Sequence, residues 1–309
     1  MKDVIISDSV RQKIDKRVDR LLNDLGNPEP PLKLPDVRRL LELDLGYYRT
    51  DDEGFLRKVA HKLMMAGKQV IERPSLLKDV VTGCGIKALW LPDPKRILID
   101  QSLPKPKHRW AEAHEILHGV LEWHEPVMRG DSELTLGHSY QEKIEAEANY
   151  GAGQLTFLRE RFQNEARDSA PTVSLVMNLA DRFANTKAST LWRVVEALGR
   201  DTPLLGIIHY HPNPRLSSAK ADPANPCRHF IQSPAFAKRF SSVSERAVYD
   251  LICGYIAHRS GGPLGTKLLP LEDDNGDGHE FVFETFSLRH QCITLCAYRQ
   301  PKRVIVAAA

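Results

Sequence analysis

The sequence predicts an α+β protein with a helix-rich N-terminal part carrying a small sheet, a short pair of helices, and an α+β C-terminal part. Three observations carry this. Apolar residues recur at steps of three and four in several stretches before residue 199, the period of amphipathic helices. Two β-rich runs, 86–91 (IKALWL) and 96–100 (RILID), flank a Pro-Asp-Pro turn and read as paired strands. Beyond Gly199 the texture changes to strand-like LLGIIHY (204–210) and to strands at 280–288, 292–298 and 303–307. These shifts place expected boundaries at 1–165, 166–200 and 201–309.

Taken in order, Val10, Ile14, Val18, Leu21, Leu22 and Leu25 form one face of a helix over 8–25, ended by Gly26 and the NPEPP run. A short helix is expected from Pro35 to Leu45, stopped at Gly46. Thr50-Asp-Asp-Glu53 is a capping box opening a third helix with Leu56, Val59, Leu63 and Met64 on it. Trp110 to Trp123 is apolar-periodic and ends before Pro126; a polar, glycine-bearing loop (129–139) leads to a helix from Gln141 to Phe162. Two short helices follow, Leu175–Phe183 and Ala188–Leu198, with Asn185-Thr186 as turn and cap. The last part has a proline-dotted loop to about Ser233 and one helix near 243–258.

Composition narrows the class. Of 309 residues, 42% are hydrophobic and 27% charged, which is too apolar for a disordered chain. A net charge of +3 is too small for a dedicated nucleic-acid or membrane-surface binder. The apolar runs are strand-sized, far short of a membrane helix. The opening MKDVIISDSV lacks the pattern of a secretory signal. Five scattered cysteines without a CxxC (Cys84, Cys227, Cys253, Cys292, Cys296) point to reduced thiols and a cytoplasmic setting. Walker, GxGxxG and GxSxG motifs are absent.

The chemistry concentrates at His114-Glu115-Ile116-Leu117-His118. Residues four apart share a helix face, so both imidazoles can point at one ion, while Glu115 can reach a water beside it. Chance alone would produce an HExxH in roughly three of a hundred such sequences, so context must decide. Two contexts offer a third ligand. His124, six residues after His118, has the spacing of the HExxHxxGxxH pattern. That pattern's glycine is replaced by Leu121, for which the left-handed conformation costs about 1–2 kcal/mol. Glu145, in IEAEAN, is the other: Glu145 and Asn149 share a helix face, so the carboxylate can bind the metal while the amide steadies a ligand imidazole. Two histidines and a carboxylate leave a corner open for water, the layout of a catalytic zinc site, although iron or manganese also suits it. Glu147 projects elsewhere on that helix and is the weaker candidate.

The run RILIDQSLP…HRWAEAHEILHGVL followed by IEAEANYGAGQLTF resembles the ImmA/IrrE family of zinc metallopeptidases, and VDRLLNDLG…PPLKLPDVRRLLELDLG resembles that family's N-terminal helices. The resemblance covers about residues 10–165. It implies a zincin-like fold for 1–165 and one Zn2+ per chain, held by His114, His118 and Glu145, with Glu115 as general base. It also implies a protein substrate, a helix-turn-helix repressor cut to release a regulon of a mobile element or a DNA-damage stress response. The chain departs from the family's pattern at Leu117, where a glycine is common, at Glu112 with Ala111, and at Leu155-Thr156-Phe157-Leu158. In part order it is similar to the three-part members, which implies a helix-turn-helix-like linker at 166–200 and a GAF-like sensor domain at 201–309 that binds an unidentified signal. Tyr150, His138 and Tyr140 are the candidate oxyanion donors. The competing class is a non-catalytic metal-containing regulator that binds DNA or protein.

Other signals carry less. Asp273, Asn275, Asp277, Gly278 and Glu284 have the spacing of a calcium loop, but the flanks read as strand and Asn275-Gly276 is a hairpin turn. His209 and His211 lie on one side of a strand end as a metal pair without a third ligand, and Cys292 and Cys296 share a strand face as buried thiols. Lys105-Pro-Lys-His-Arg109 reads as a solvated basic loop before a helix. The helices over 175–198 lack a dense basic stripe, Lys187 and Arg193 being the cations from Ala184 to Leu198, which argues against direct DNA binding.

Overall fold

The apolar period over residues 8–25 becomes helix α1 (Asp8–Asp24), which buries Ile14, Val18, Leu21 and Leu22. It stops where Gly26 takes a left-handed φ of +74°, a conformation glycine adopts without strain. The structure, a computed structural model, describes residues 6–49, 88–91, 95–126, 138–218, 221–288 and 291–301. Its contacts divide the chain into two units, Met1–Arg159 and Glu160–Ala309. Both mix helix and sheet, so the chain is α+β. The expected third helix at Thr50, the Pro-Asp-Pro turn, the loop at 129–137 and the strand at 303–307 lie outside the described residues.

In the first unit, α2 (Leu34–Leu40) is shorter than its sequence suggested. Glu42 turns the chain with φ 55°, and residues expected to stay helical as far as Leu45 instead enter strand β1 (Asp44–Tyr48). The reason is a partner distant in sequence. β1 runs parallel to β3 (Arg96–Asp100), Leu45 opposite Ile97 and Tyr47 opposite Ile99, and pairing overrides the weak helical preference of a short segment. β2 (Ala88–Leu91) pairs with β3 antiparallel, from Ala88 opposite Ile99 to Leu91 opposite Arg96, giving the order β1-β3-β2. Ile97, Leu98 and Ile99 are buried. Helix α3 (Lys105–Val120) contacts β2 and β3, and α4 (His138–Thr156) packs on α3 and α1.

The single helix expected over 141–162 ends at Thr156, because Leu158 and Arg159 take positive φ; α5 (Glu160–Arg167) then begins the second unit. Helices α6 (Val173–Arg182) and α7 (Lys187–Leu198) follow the expected pair closely. Thr172 and Thr186 cap them by accepting the N–H of Leu175 and of Ser189. The five-stranded antiparallel sheet has the order β5-β4-β8-β7-β6, with β4 (Leu204–His209), β5 (Cys227–Gln232), β6 (Gly262–Glu272), β7 (Gly278–Ser287) and β8 (Cys292–Pro301). β5 falls in the segment expected to be a proline-dotted loop, and β6 in a stretch to which the sequence pattern assigns no element. Both are edge strands, where Pro263 and Pro270 are tolerated and no strict alternation is needed. Every residue of β4 is buried because it is covered on both faces. Leu205 and Ile207 join a core with Phe236 of α8 (Pro234–Arg239) and with Val248 and Ile252 of α9 (Glu245–Cys253). On the opposite face Gly206 lies under α7: a Cβ there would sit 3.0 Å from Val195 Cγ2 and 3.1 Å from Leu191 Cγ.

In the 273–284 segment, residues 273–277 are the hairpin turn between β6 and β7, and Glu284 lies on β7. Asp273 Oδ1 accepts the N–H groups of Asn275 and Asp277, and its Oδ2 accepts from Arg239 Nε at 3.1 Å. Glu284, the twelfth position of the calcium pattern, accepts the N–H of Val173 at 2.8 Å instead. Asp274 ties the hairpin to the end of α8 by accepting from Ser242 N and from Ser241 N and Oγ. The Ser242 N–H leads this set of hydrogen bonds, which holds the Asp274 carboxyl down at about 2 against an ordinary 3.8. A depressed carboxyl stabilises the fold above its unfolded pKa and loses that contribution as pH falls through its folded one. Thermal melts of Asp274→Ala should therefore lie below wild type at pH 5, and the gap should close progressively between about pH 4 and pH 2. A gap that stays constant across that range would remove Asp274 from the account.

Candidate metal centre

His114 and His118 stand four apart on α3, and Glu145 and Asn149 four apart on α4, so each helix offers one face. The two faces meet. His114 Nε2 lies 3.0 Å from Glu145 Oε2, His118 Nε2 lies 3.5 Å from Glu145 Oε1, and the two Nε2 atoms are 3.1 Å apart. Among the described residues these three form the group whose ligand atoms all lie within 4.8 Å of one another. His118 is 1% exposed at its side chain, whereas Glu145 is 55% exposed, so the group opens to solvent on the carboxylate side.

The outer ring nitrogens reveal what the inner ones can do. Asn149 Oδ1 lies 3.0 Å from His114 Nδ1, so that nitrogen donates and Nε2 keeps its lone pair. His124 Nε2 lies 3.3 Å from the Glu147 carboxylate and donates to it; His124 Nδ1 then accepts from His118 Nδ1 at 3.0 Å. His118 Nε2 is left as a lone pair as well. In their neutral forms the two rings thus each turn a lone pair toward the carboxylate, and a proton on either Nε2 hydrogen-bonds that ring to Glu145. Ligands at zinc bond lengths in a tetrahedron stand about 3.3 Å apart, and the observed separations of 3.0 to 3.5 Å bracket that value. The donor set fits a divalent ion.

Electrostatics point the same way. Burial lowers the His118 imidazole to about 4 and outweighs the hydrogen bond to Glu145 that raises it. His114 is raised: burial opposes this, but Glu145 as hydrogen-bond partner and the charges of Glu115 and Glu145 prevail. Burial would raise Glu145, yet the hydrogen bonds from His114 and His118 hold it well below the usual carboxylate range. The site is built to attract a positive charge between its rings and its carboxylate.

The other residues singled out in the sequence divide clearly. Glu115 is 5% exposed and its charge reaches His114. His124 is not in the converging group. Leu121 leaves α3 in an extended conformation (φ −88°, ψ 90°), so no left-handed glycine is needed, and a 3-10 turn at Glu122–His124 carries His124 behind His118. Tyr150, one of the candidate oxyanion donors, donates its hydroxyl to Asp15 of α1 at 3.1 Å. The side chains of His138 and Tyr140 lie outside the described residues. Patterning missed Tyr48 at the end of β1. Its phenol is pushed up to about 12, by burial first and then by the charges of Asp100 and Glu115. No spacing rule marks a strand-end tyrosine so distant in sequence. In the second unit, His209 spends both ring nitrogens, Nδ1 on Tyr210 O and Nε2 on Thr294 Oγ1, and so does not form a metal pair with His211.

The departures from the family pattern have local partners. Leu117 is fully buried, and a Cβ on Gly151 of α4 would meet its Cδ1 at 2.6 Å and its Cγ at 2.9 Å. The bulk added on α3 is received by a glycine on α4. Glu112 pairs with Arg38 of α2 at 2.7 Å. Leu155, Thr156, Phe157 and Leu158 are all buried, with Thr156 Oγ1 donating to Ala152 O.

Residues 66–194 match the family model described as the IrrE N-terminal-like domain, a peptidase family, which bears out the resemblance to ImmA/IrrE proteins. A solved structure named Mycobacterium tuberculosis transcriptional regulator is similar at a TM-score of 0.51 and 13% identity, over 96% of this chain and 92% of that one, a likeness of fold alone. No curated protein matches the chain.

The Leu117–Gly151 contact lies between the two helices that carry His114, His118 and Glu145. Gly151→Ala should destabilise the protein by about 1–3 kcal/mol through overpacking, and Leu117→Ala by about 2–5 kcal/mol through the cavity it leaves. In urea unfolding, the double variant should lose less than the sum of the two; strict additivity would mean that the side chains do not share this space.

Proposed function

We propose that this chain is a zinc-dependent endopeptidase that cuts a partner protein. The observation that supports this reading is the convergence of His114, His118 and Glu145 beside Glu115, within a stretch that matches a peptidase family. His114, His118 and Glu145 would hold the ion. When bound, zinc supplies a Lewis acid that polarises a peptide carbonyl and acidifies water. Glu115 takes a proton from the attacking water and returns it to the leaving amine nitrogen as the C–N bond breaks. Asn149 holds the His114 ring in the tautomer that faces the ion. The solvent-facing side at Glu145 is where an extended peptide would approach.

The substrate this reading favours is a helix-turn-helix repressor, whose cleavage releases a regulon. The family resemblance and the fold shared with a protein named as a transcriptional regulator support it. The C-terminal sheet unit would bind the activating signal. The competing reading, a non-catalytic DNA-binding regulator, gains little from α6 and α7. Leu191, Val194 and Val195 of α7 are buried, and Arg193 pairs with Glu196 at 2.9 Å, which leaves few cations for phosphate. No described helix is long and apolar enough to cross a membrane.

Two measurements test the proposal. Glu115→Gln should retain one zinc per chain while lowering cleavage of a co-expressed helix-turn-helix repressor by about 10²–10⁴-fold. His114→Ala and Glu145→Ala should each lose the metal, read by elemental analysis of the purified protein. Cleavage by Glu115→Gln at the wild-type rate would end the peptidase reading.

A further inference from the structure

Beyond the ligands, a second, largely buried constellation stands behind His118. His124 is 0% exposed and Glu147 2%, and they lie 3.3 Å apart through His124 Nε2 and Glu147 Oε2. The same Oε2 accepts from Trp123 Nε1 at 2.7 Å. His124 Nδ1 faces His118 Nδ1 at 3.0 Å. A carboxylate and an imidazole taken this far from water are costly unless they are hydrogen-bonded to each other and to something further. Here they line up as one chain of donors: Trp123 and His124 donate to Glu147, and His118 donates to His124. Each proton has one place to go, because Glu147 only accepts.

We infer that His124 and Glu147 form a positioning relay for His118, locking it as the Nδ1–H tautomer with Nε2 free for the metal and making that nitrogen a stronger donor. The inference rests on the metal-site reading above. The physical argument is specific to the geometry. An imidazole free to flip its tautomer offers Nε2 as a lone pair only part of the time, and one whose ring can rotate offers it in the wrong direction. An acceptor fixed behind Nδ1 removes both freedoms, and a buried negative charge at the end of the chain draws the Nδ1 proton outward. His114 has a comparable partner in Asn149, but a neutral and exposed one. His118, being the deeper ligand, receives the charged relay. His124 and Glu147 act through His118 and do not touch substrate.

The test uses the full chain and zinc itself. Nitrogen-15 NMR of the metal-free protein should show His118 as the Nδ1–H tautomer in wild type and as a tautomer mixture in His124→Ala. Zinc affinity, measured by chelator competition, should fall about 10–100-fold in His124→Ala and in Glu147→Ala, with the double variant no weaker than the worse single because the two act as one chain. His124→Asn, which keeps a carbonyl oxygen where Nδ1 stood, should recover most of the affinity. Should the alanine variants fail to fold, Glu147→Gln carries the test, since it retains acceptors for Trp123 and His124 and removes only the charge; a severalfold weaker zinc affinity is expected. Wild-type zinc affinity in the variants, or an unchanged Nδ1–H tautomer in His124→Ala, would overturn the relay. A wild-type chain that binds no zinc would instead sink the metal reading, while the tautomer measured without metal still judges the relay.

Discussion

Two imidazole nitrogens and a carboxylate held within 3.5 Å of one another are the constraint around which the first unit is organised. Such a cluster is stable only with a proton or a metal ion shared among its members, and the fold must bring those members to one point. Two helices have to approach closely enough for side chains on facing surfaces to meet. The surface of α4 that allows this is built of small residues: Ala148, Gly151 and Ala152 are buried, and Leu117 of α3 fills the space over Gly151. The three-stranded sheet backs α3, and α1 packs on α4.

The hydrogen bonds behind the two histidines belong to the candidate site as much as the converging groups do. Asn149 stands behind His114, and His124 with Glu147 behind His118, each within hydrogen-bond reach of the ring's outer nitrogen or of the next group along. Two of these residues also looked like candidate ligands from spacing alone. The structure places both behind the converging group, and for His124 the cause is a backbone detail. Leu121 leaves its helix extended, which sends the chain behind the second histidine and not around to the open face.

Much of the architecture could be read from residue order where the pattern was long and regular. Helices α1, α6 and α7, the β2–β3 pair, and β7 and β8 all emerge close to where periodicity and capping residues put them. The failures share a physical origin. The sequence pattern reads β1 as the end of a helix and β5 as loop, and it marks no element at β6, because each is a sheet-edge segment whose conformation is set by a partner strand. Glu284 and Asp273 mimicked a calcium loop because a hairpin turn and an ion-binding loop both need carboxylates that accept backbone N–H groups.

The chemistry of the candidate site divides along the same line. That His114 with His118, and Glu145 with Asn149, share a helix face follows from helical geometry, which local sequence determines, and residue order alone made them candidates. That the two faces meet, that His124 stands behind a ligand, that Glu147 is a buried partner and that Tyr150 turns toward Asp15 were decided by packing. Those relations join residues through the close approach of helices and the exit angle of one turn. Spacing along the chain does not encode such quantities; they arise only when the side chains between the elements fill the space.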